Sequence, residues 1–262
     1  MVAMLLVATG MVRSTSGQSL VSRLKRVPDG EVRLAFAARN GICGDGRTFI
    51  RDRSSGPGNF ITMDSWDGDK SWRNRPCEEG PVRVALMVRA GEIRSVKIYV
   101  GGSWPSGGAN VTDWGQLGAN DAALGLIELA RTAGSDHDDL IFPATIADSA
   151  VIWPTLLQMA RDRTVHRSTR SKAVFWVSQI AGDKAAEGLN DLVADDSEDQ
   201  EVREQAVFAL SQLPKDDGVP VLVRVARTNK DPEIRKKAMF WLGQSEDPRA
   251  LALFEEILSR PN

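Results

Sequence analysis

The sequence predicts an α+β protein in two parts, a small antiparallel β domain followed by a C-terminal α-solenoid, or α-α superhelix. Three observations lead to this prediction. Short runs of alternating apolar and polar residues occur between residues 20 and 105, a glycine-rich segment follows at 101–108, and the C-terminal half repeats itself every 32 or 33 residues. Alternation with a period of two is typical of strands, whereas self-similarity at the longer period is typical of stacked helical units.

The composition and charge exclude several classes of partner. The chain has 262 residues, of which 42% are hydrophobic and 26% charged, as is ordinary for a soluble protein with room for two modest cores. Its 33 basic and 35 acidic residues give a net charge of −2, so no large field of one sign would attract nucleic acid or an anionic membrane. This charge balance predicts no nucleic-acid partner. Protein partners are expected instead from the repeats of the C-terminal half, and no integral membrane segment is expected in the mature chain.

The first 19 residues are interpreted as an export signal. Apolar residues dominate Met1 to Val12, and a polar, turn-prone run follows them. The apolar stretch is too short to span a bilayer but has the length of the core of a secretory signal. Neither a preceding basic residue nor a clean cleavage site is found, which fits a truncated signal; a structured strand or helix is the alternative. Export would place the mature chain in the periplasm or outside the cell.

Cys43 and Cys77 are the only cysteines, and both lie in turn-rich sequence. In an exported chain, two cysteines of one small β-rich segment most simply form a disulfide. The alternatives are two free thiols or a metal pair, but two ligands are too few for a zinc site and no CxxC motif occurs. We therefore predict a disulfide between Cys43 and Cys77.

Residues 20–105 are predicted to form the β domain. Val32, Leu34 and Phe36 alternate with less apolar neighbours, and the same period of two occurs at 82–88 and 96–100. The turn residues between the last two runs include a glycine and predict a hairpin. Three aspartates at 64–69 could indicate a calcium site. The segment does not have the spacing of an EF-hand loop or the glutamate at its twelfth position, so a solvated acidic loop is favoured.

Residues 106–135 are predicted to be a connector and the first helix. The glycine-rich segment marks the end of the sheet, and no strand pattern is visible after it. Asn120 is expected to cap a helix that continues through Ala130.

Residues 136–262 are predicted to form about four helical pairs. Three sets of residues recur at the repeat interval: a phenylalanine column of Phe142, Phe175, Phe208 and Phe240, a glutamine column of Gln179, Gln212 and Gln244, and an arginine column of Arg170, Arg203 and Arg235. Asp199 and Asp231 precede the first helix of their units and can cap it. Because a single helical pair cannot bury its apolar face alone, neighbouring pairs must stack.

The segment DPEIRKKA at 231–238, followed by WLGQ at 241–244 and DPRA at 247–250, resembles the HEAT repeat. It is similar to the subclass also found in phycobilisome lyases. Units that begin near residues 136, 168, 200 and 232 carry this resemblance, which is restricted to the C-terminal half; the first unit departs because Pro143 interrupts its first helix. The resemblance implies a HEAT-like α-solenoid and, in general, protein–protein interaction through the surface that stacking creates.

The three columns are the candidate protein-binding residues. The phenylalanine and glutamine columns lie to one side of the buried helix face, so they either line a binding surface or, for the phenylalanines, fill the seam between units. The arginine column is interpreted first as an inter-repeat ion-pair ladder and only second as a contact surface. Four tryptophans near the loops of the β domain form either a recognition patch or core packing, and we favour packing. They are Trp66, Trp72, Trp104 and Trp114.

Catalytic chemistry finds little support in the sequence. His137 and His166 are the only histidines, and no second His-Asp pair completes a metal site. HEAT-like deoxyhypusine hydroxylases carry several His-Glu pairs, which this chain lacks, and no P-loop, GxSxG or dinucleotide motif occurs. We expect no catalytic residues, no cofactor and no metal. The predicted function is a non-catalytic scaffold or adaptor with the β domain as a second contact; the alternative is a lyase-like or enzyme-accessory protein that binds a small ligand at the junction of β domain and solenoid.

Overall fold

The computed structural model describes residues 19–47, 49–53, 60–62, 77–108, 110–133 and 139–259. Within these ranges a β region in the N-terminal half is followed by a run of helices. The predicted export signal, except Ser19, lies outside the described residues, and so do the loop at 64–69, Trp66, Trp72 and His137.

The β region consists of a short helix and two four-stranded sheets. Its elements are α1 (Leu20–Leu24), β1 (Gly30–Phe36), β2 (Ile42–Gly44), β3 (Phe49–Asp52), β4 (Phe60–Thr62), β5 (Glu78–Glu79), β6 (Val82–Arg89), β7 (Glu92–Val100) and β8 (Val111–Gln116). The sheets have the orders β7-β6-β1-β8 and β4-β3-β2-β5. The predicted hairpin is confirmed, because β6 and β7 pair antiparallel around Ala90 and Gly91, whose φ angles of 55° and 75° suit a two-residue turn.

The expectation that no strand follows the glycine-rich segment is wrong. Strand β8 lies inside the predicted connector and pairs parallel with β1, so the larger sheet is mixed rather than purely antiparallel. Its sequence, VTDWGQ, has an exposed or half-buried side chain at every position. A strand that buries no side chain fully has no apolar alternation to reveal it.

The helical part contains paired helices that contact one another in order. Its elements are α2 (Ala119–Thr132), α3 (Ile141–Thr145), α4 (Trp153–Arg161), α5 (Arg167–Ile180), a short 3-10 helix (Gly182–Ala185), α6 (Ala186–Ala194), α7 (Gln200–Ser211), α8 (Lys215–Thr228), α9 (Pro232–Gln244) and α10 (Pro248–Ser259). Helices α5, α7 and α9 pack in succession, as do α6, α8 and α10. No helix in the described ranges is long and apolar enough to cross a membrane.

Two of the three predicted helix caps differ from expectation. Helix α2 begins after Gly118 and has no side-chain cap, so Asn120 does not cap it. Asp231 does cap α9, since its carboxylate accepts a hydrogen bond of 2.9 Å from the N–H of Glu233. Asp199 occupies the same position before α7 without capping it, because its carboxylate instead accepts a hydrogen bond from the guanidinium of Arg170.

One hydrophobic core runs from the larger sheet into the helices. Leu34 and Phe36 of β1 are fully buried and belong to the same cluster as Leu126 of α2 and the apolar faces of the later helices. A backbone bridge between Ala38 and Ala147 ties the end of β1 to the chain after α3. The β region therefore packs directly against the first helical unit, whose α3 is only five residues long and contains Pro143.

The predicted disulfide is present. It joins Cys43 of β2 to Cys77, which directly precedes β5, with a Cα–Cα distance of 5.2 Å. The bond therefore lies beside the pairing of the neighbouring strands β2 and β5 at one edge of the smaller sheet.

Asp247, at the start of α10, should contribute to the acid sensitivity of the fold. Its carboxylate accepts hydrogen bonds from the side chain and the backbone N–H of Arg249, both at 2.9 Å. These bonds lower the pKa of Asp247 from 3.8 to about 2. A carboxyl group whose pKa is depressed by folding stabilises the protein above its unfolded-state pKa, and the contribution is lost as the pH falls through the folded-state value.

We therefore expect the stability difference between the wild type and Asp247→Asn to shrink as the pH is lowered from about 4 to about 2. Thermal melts in steps of pH, with the side-chain titration of Asp247 followed by NMR, measure this. A titration midpoint near 4 in the folded protein would contradict the assignment.

Candidate protein-binding surface

Six aromatic side chains form a continuous row of ring contacts across α3, α5, α7 and α9. This row, which we call the aromatic ladder, consists of Phe142, Trp176, Phe175, Phe208, Trp241 and Phe240. Contacts between helices have centroid separations of 5.0 to 6.4 Å, within the range of favourable aromatic pairs. The phenylalanine column is thus joined across the units.

The exposure of the phenylalanine column increases toward the C-terminal end. Phe142 is buried, Phe175 and Phe208 are half-buried, and the side chain of Phe240 is 56% exposed. A phenylalanine between two units is covered on both sides, whereas Phe240 has a ring neighbour, Trp241, within its own helix. The two inner phenylalanines therefore fill the seam and still present part of their rings at the surface.

The glutamine column lies beside the ladder and is exposed. Each glutamine follows a phenylalanine by four residues, which places both side chains on one face of the helix. Gln179 donates from Nε2 to Ser178 Oγ at 3.2 Å, and Gln212 donates to Ser211 Oγ at 3.1 Å. Each serine donates in turn to the carbonyl of the phenylalanine three residues earlier. Two successive units therefore hold their glutamine amides in the same orientation.

The arginine column lies inside the seam. Arg170 and Arg203 are 2% and 4% exposed. Arg170 donates from Nη1 to Glu198 Oε1 at 2.5 Å and from Nη2 to Asp199, so α5 is bound to the loop before α7. This agrees with the predicted ion-pair ladder, and a guanidinium buried in this way is not accessible to a partner.

The other two arginines of the column have different hydrogen-bond and ion-pair partners. Arg203 pairs with Asp231 at 3.1 Å and with Asp196 at 3.3 Å. Arg235, which is half-buried, donates to the carbonyls of Asn229 and Lys230 at 2.7 and 2.9 Å. The column therefore changes from carboxylate to carbonyl partners at the last unit.

Charged pairs also join the helices that carry the ladder. Arg167 of α5 pairs with Glu201 of α7, and Lys237 of α9 pairs with Glu204 of α7, both at 2.9 Å. The hydrogen bond from Lys237 lowers the pKa of Glu204. The candidate binding residues predicted from the sequence did not include these pairs, Trp176 or Trp241. The two tryptophans could have been added because each directly follows a column phenylalanine.

His166, Trp114 and Trp104 make contacts within the fold. His166 caps α5, because its Nδ1 accepts a hydrogen bond of 3.3 Å from the N–H of Ser168. Trp114 lies under Arg23, with 4.3 Å from guanidinium carbon to ring centroid, and packs against the core. Trp104 lies near Arg33 and Arg83 beside the larger sheet. The described residues contain no cluster of three His, Cys, Asp or Glu side chains that could hold a metal ion.

A cavity of about 280 Å³ lies at the junction between the β region and the first helical units. Its lining includes Arg39 from the β region, Thr145 and Trp153 from the α3–α4 segment, and Lys184. The cavity therefore occupies the place where a small ligand would lie in the alternative function.

Comparison with known proteins finds a similarity in the C-terminal part of the chain. No curated protein matches the chain. Residues 192–262 match the family model for HEAT repeats. This segment contains Phe208, Phe240 and Trp241, and so includes the more exposed end of the aromatic ladder. The match, together with the packing of α7 to α10, supports a HEAT-repeat protein.

Proposed function

We propose that the chain is a non-catalytic protein-binding scaffold whose contact surface is the aromatic ladder and the glutamine column. The observation that carries this proposal is the continuity of the ladder, in which ring contacts pass from α3 to α9. Aromatic side chains are enriched at protein interfaces and contribute strongly to binding there. The match to HEAT repeats agrees with such a role, since stacked helical repeats create extended binding surfaces.

The proposal includes a HEAT-like α-solenoid over residues 136–262, of the type also found in phycobilisome lyases. The successive packing of α5, α7 and α9 and of α6, α8 and α10 supports it. It also includes export to the periplasm or the extracellular space of a bacterium. The disulfide between Cys43 and Cys77 supports export, because disulfides persist in oxidising compartments.

The ladder suits an extended segment of a partner. The rings of Phe175 and Phe208 are 6.4 Å apart, close to the roughly 6.6 Å between alternate residues of an extended chain. The exposed amides of Gln179 and Gln212 lie beside these rings and can exchange hydrogen bonds with a partner's backbone. Apolar side chains of the segment would contact the rings while its peptide groups meet the glutamines.

The second candidate function is binding of a small ligand in the junction cavity by a lyase-like or enzyme-accessory protein. The cavity supports it by position and by the two cationic side chains in its lining. Its volume of about 280 Å³ is below the roughly 300–1,000 Å³ of ordinary ligand sites. The scaffold function is therefore favoured.

We expect Phe240→Ser to weaken partner retention at least tenfold, about 1.4 kcal/mol, without unfolding the chain, because the ring is 56% exposed and lies at the open end of the ladder. Leu251→Ser is the matched control, since Leu251 is 60% exposed but lies on α10 outside the ladder. The measurement is quantitative pull-down from a native envelope extract, with circular dichroism as the check on folding.

A photo-reactive residue at Gln212, compared with one at Leu251, tests whether the retained protein touches the ladder. Cross-linking from position 212 alone is expected. Equal retention by Phe240→Ser and the wild type, with no cross-link at 212, would overturn the scaffold function as proposed and direct attention to the junction cavity.

A further inference from the structure

The outer edge of β7 borders a groove of about 770 Å³ in the β region, far from the aromatic ladder in the sequence. Four consecutive residues of β7, Val96 to Tyr99, line it on one side. Gly46 and Arg47 line it near the end of β7, and the segment from Ser103 to Ser106 completes it. Strand β7 is an edge strand of its sheet, because β6 is its only neighbour among the described strands.

The direction of the backbone groups on β7 follows from the pairing register. Val100 lies opposite Val82, and its carbonyl accepts a hydrogen bond from the N–H of Gly46, so it points away from β6. In an antiparallel pair the N–H and C=O of one residue point to the same side and alternate along the strand. Ile98 and Val96 must therefore also direct their backbone groups away from β6.

The pairing of β6 with β1 provides a check on these backbone directions. If the backbone groups of Val82 do not bond with those of Val100, they bond with those of Phe36 on β1. The backbone groups of every second residue of β1, from Ala35 back to Glu31, must then face β8. They do, because the N–H of Glu31 donates to Asn110 and the carbonyl of Ala35 accepts from Leu117. The donors and acceptors of Val96 and Ile98 consequently face the groove, where no other described strand pairs with them.

The side chains around the groove are cationic and aromatic. Arg47 and Lys97 are both exposed, and no described residue of the lining is acidic. Tyr99 and Trp104 contact each other edge to face with centroids 6.1 Å apart. The guanidinium of Arg83, which is 4% exposed, lies 5.8 Å from the ring of Trp104 and adds buried positive charge behind it.

Two carboxylates lie near the groove but are not part of its lining. Glu31 forms an ion pair with Arg33. Burial is the main cause of the raised pKa of Tyr99, and the charge of Glu31 is the second cause. Asp45 accepts hydrogen bonds from the backbone N–H groups of Arg47 and Phe49. The charged side chains that line the groove itself, Arg47 and Lys97, are both cationic, which favours a negatively charged occupant.

We propose that this groove binds an extended acidic segment of a protein, which adds a strand to the edge of β7. The peptide backbone pairs with Val96 and Ile98, its carboxylates face Lys97 and Arg47, and an apolar side chain packs on Tyr99 and Trp104. Strand addition of this kind takes its affinity from backbone hydrogen bonds and its specificity from alternate side chains. The site is separate from the aromatic ladder and does not depend on the function proposed for it.

The test uses decapeptides selected from a random library on the full disulfide-bonded chain, with affinity measured by fluorescence polarisation. Val96→Pro is the critical variant. It removes one outward N–H while leaving the ladder with β6 intact, as proline is tolerated where an edge strand's N–H faces outward. Val96→Ala is its matched control. A second variant, Lys97→Glu, reverses one charge at an exposed position.

We expect selected peptides to be rich in Asp or Glu, to bind Val96→Ala as they bind the wild type, and to lose at least tenfold in affinity to Val96→Pro. Lys97→Glu should weaken them by a similar factor, and Phe240→Ser should leave them unaffected. Selection of no peptide, of peptides without acidic residues, or of peptides that bind Val96→Pro and Val96→Ala equally well would overturn the proposal. Binding of small organic anions with no peptide selected would do so as well.

Discussion

Replacement of Arg170 with alanine is expected to lower the free energy of unfolding by about 3–5 kcal/mol, the usual cost of breaking a buried ion pair from one side. The side chains of Arg170 and Glu198 are 3% and 2% exposed and meet at 2.5 Å. Without the guanidinium, the Glu198 carboxylate is left in the seam between α5 and α7 with no compensating charge and little access to water. Asp199, which is 48% exposed, can be solvated. Glu198 is therefore the main source of the cost.

Arg235→Ala is the matched control within the same column. Arg235 is half-buried and donates to two carbonyls, so its removal should cost only about 0.5–1.5 kcal/mol per hydrogen bond. Urea unfolding of the two variants measures the difference as a shift in midpoint. A double variant, Arg170→Met with Glu198→Leu, should recover most of the lost stability, because it removes the buried Glu198 carboxylate together with its guanidinium partner. Equal midpoints for Arg170→Ala and Arg235→Ala would refute the buried-pair account.

Removal of the disulfide by Cys43→Ala with Cys77→Ala should lower the free energy of unfolding by about 3 to 4 kcal/mol on the chain-entropy model for a loop of this size. The bond closes 34 residues of chain. It also joins β2 and β5, which are only three and two residues long and have few backbone hydrogen bonds to maintain their register. The smaller sheet therefore depends on the cross-link more than the larger sheet does.

Reduced wild type provides the comparison for the double alanine variant. The two should unfold at the same urea concentration, below that of the oxidised protein, and hydrogen exchange should show lost protection in β2 and β3 while α5 to α9 keep theirs. Identical midpoints for oxidised and reduced wild type would show that the bond contributes nothing to stability.

The sequence was sufficient for features that depend on local periodicity. The recurrence of Phe175, Phe208 and Phe240 predicted the helix pairs, and Arg170 was correctly expected to pair with acids near the loops. The β6–β7 hairpin was predictable from the turn chemistry of a short segment, and the disulfide from the presence of only two cysteines in the chain. In each case the sequence alone contains the signal, as a repeat interval, a turn motif or a pair of cysteines.

Side-chain burial and the pairing of distant strands could be determined only from the tertiary structure. Phe142 is buried and Phe240 is 56% exposed, although both occupy the same repeat position, because burial depends on which side chains meet across the helices. Strand β8 had no apolar pattern, so only its pairing with β1 reveals it.

The groove at β7 likewise depends partly on the sequence and partly on the tertiary structure. The sequence determined that Val96 and Ile98 lie in a strand, but the direction of their backbone groups depends on register with β6, and the charge around them depends on loops brought together from distant positions. Local propensity and period belong to the sequence by itself, whereas a binding surface is created by contacts between segments far apart in the chain.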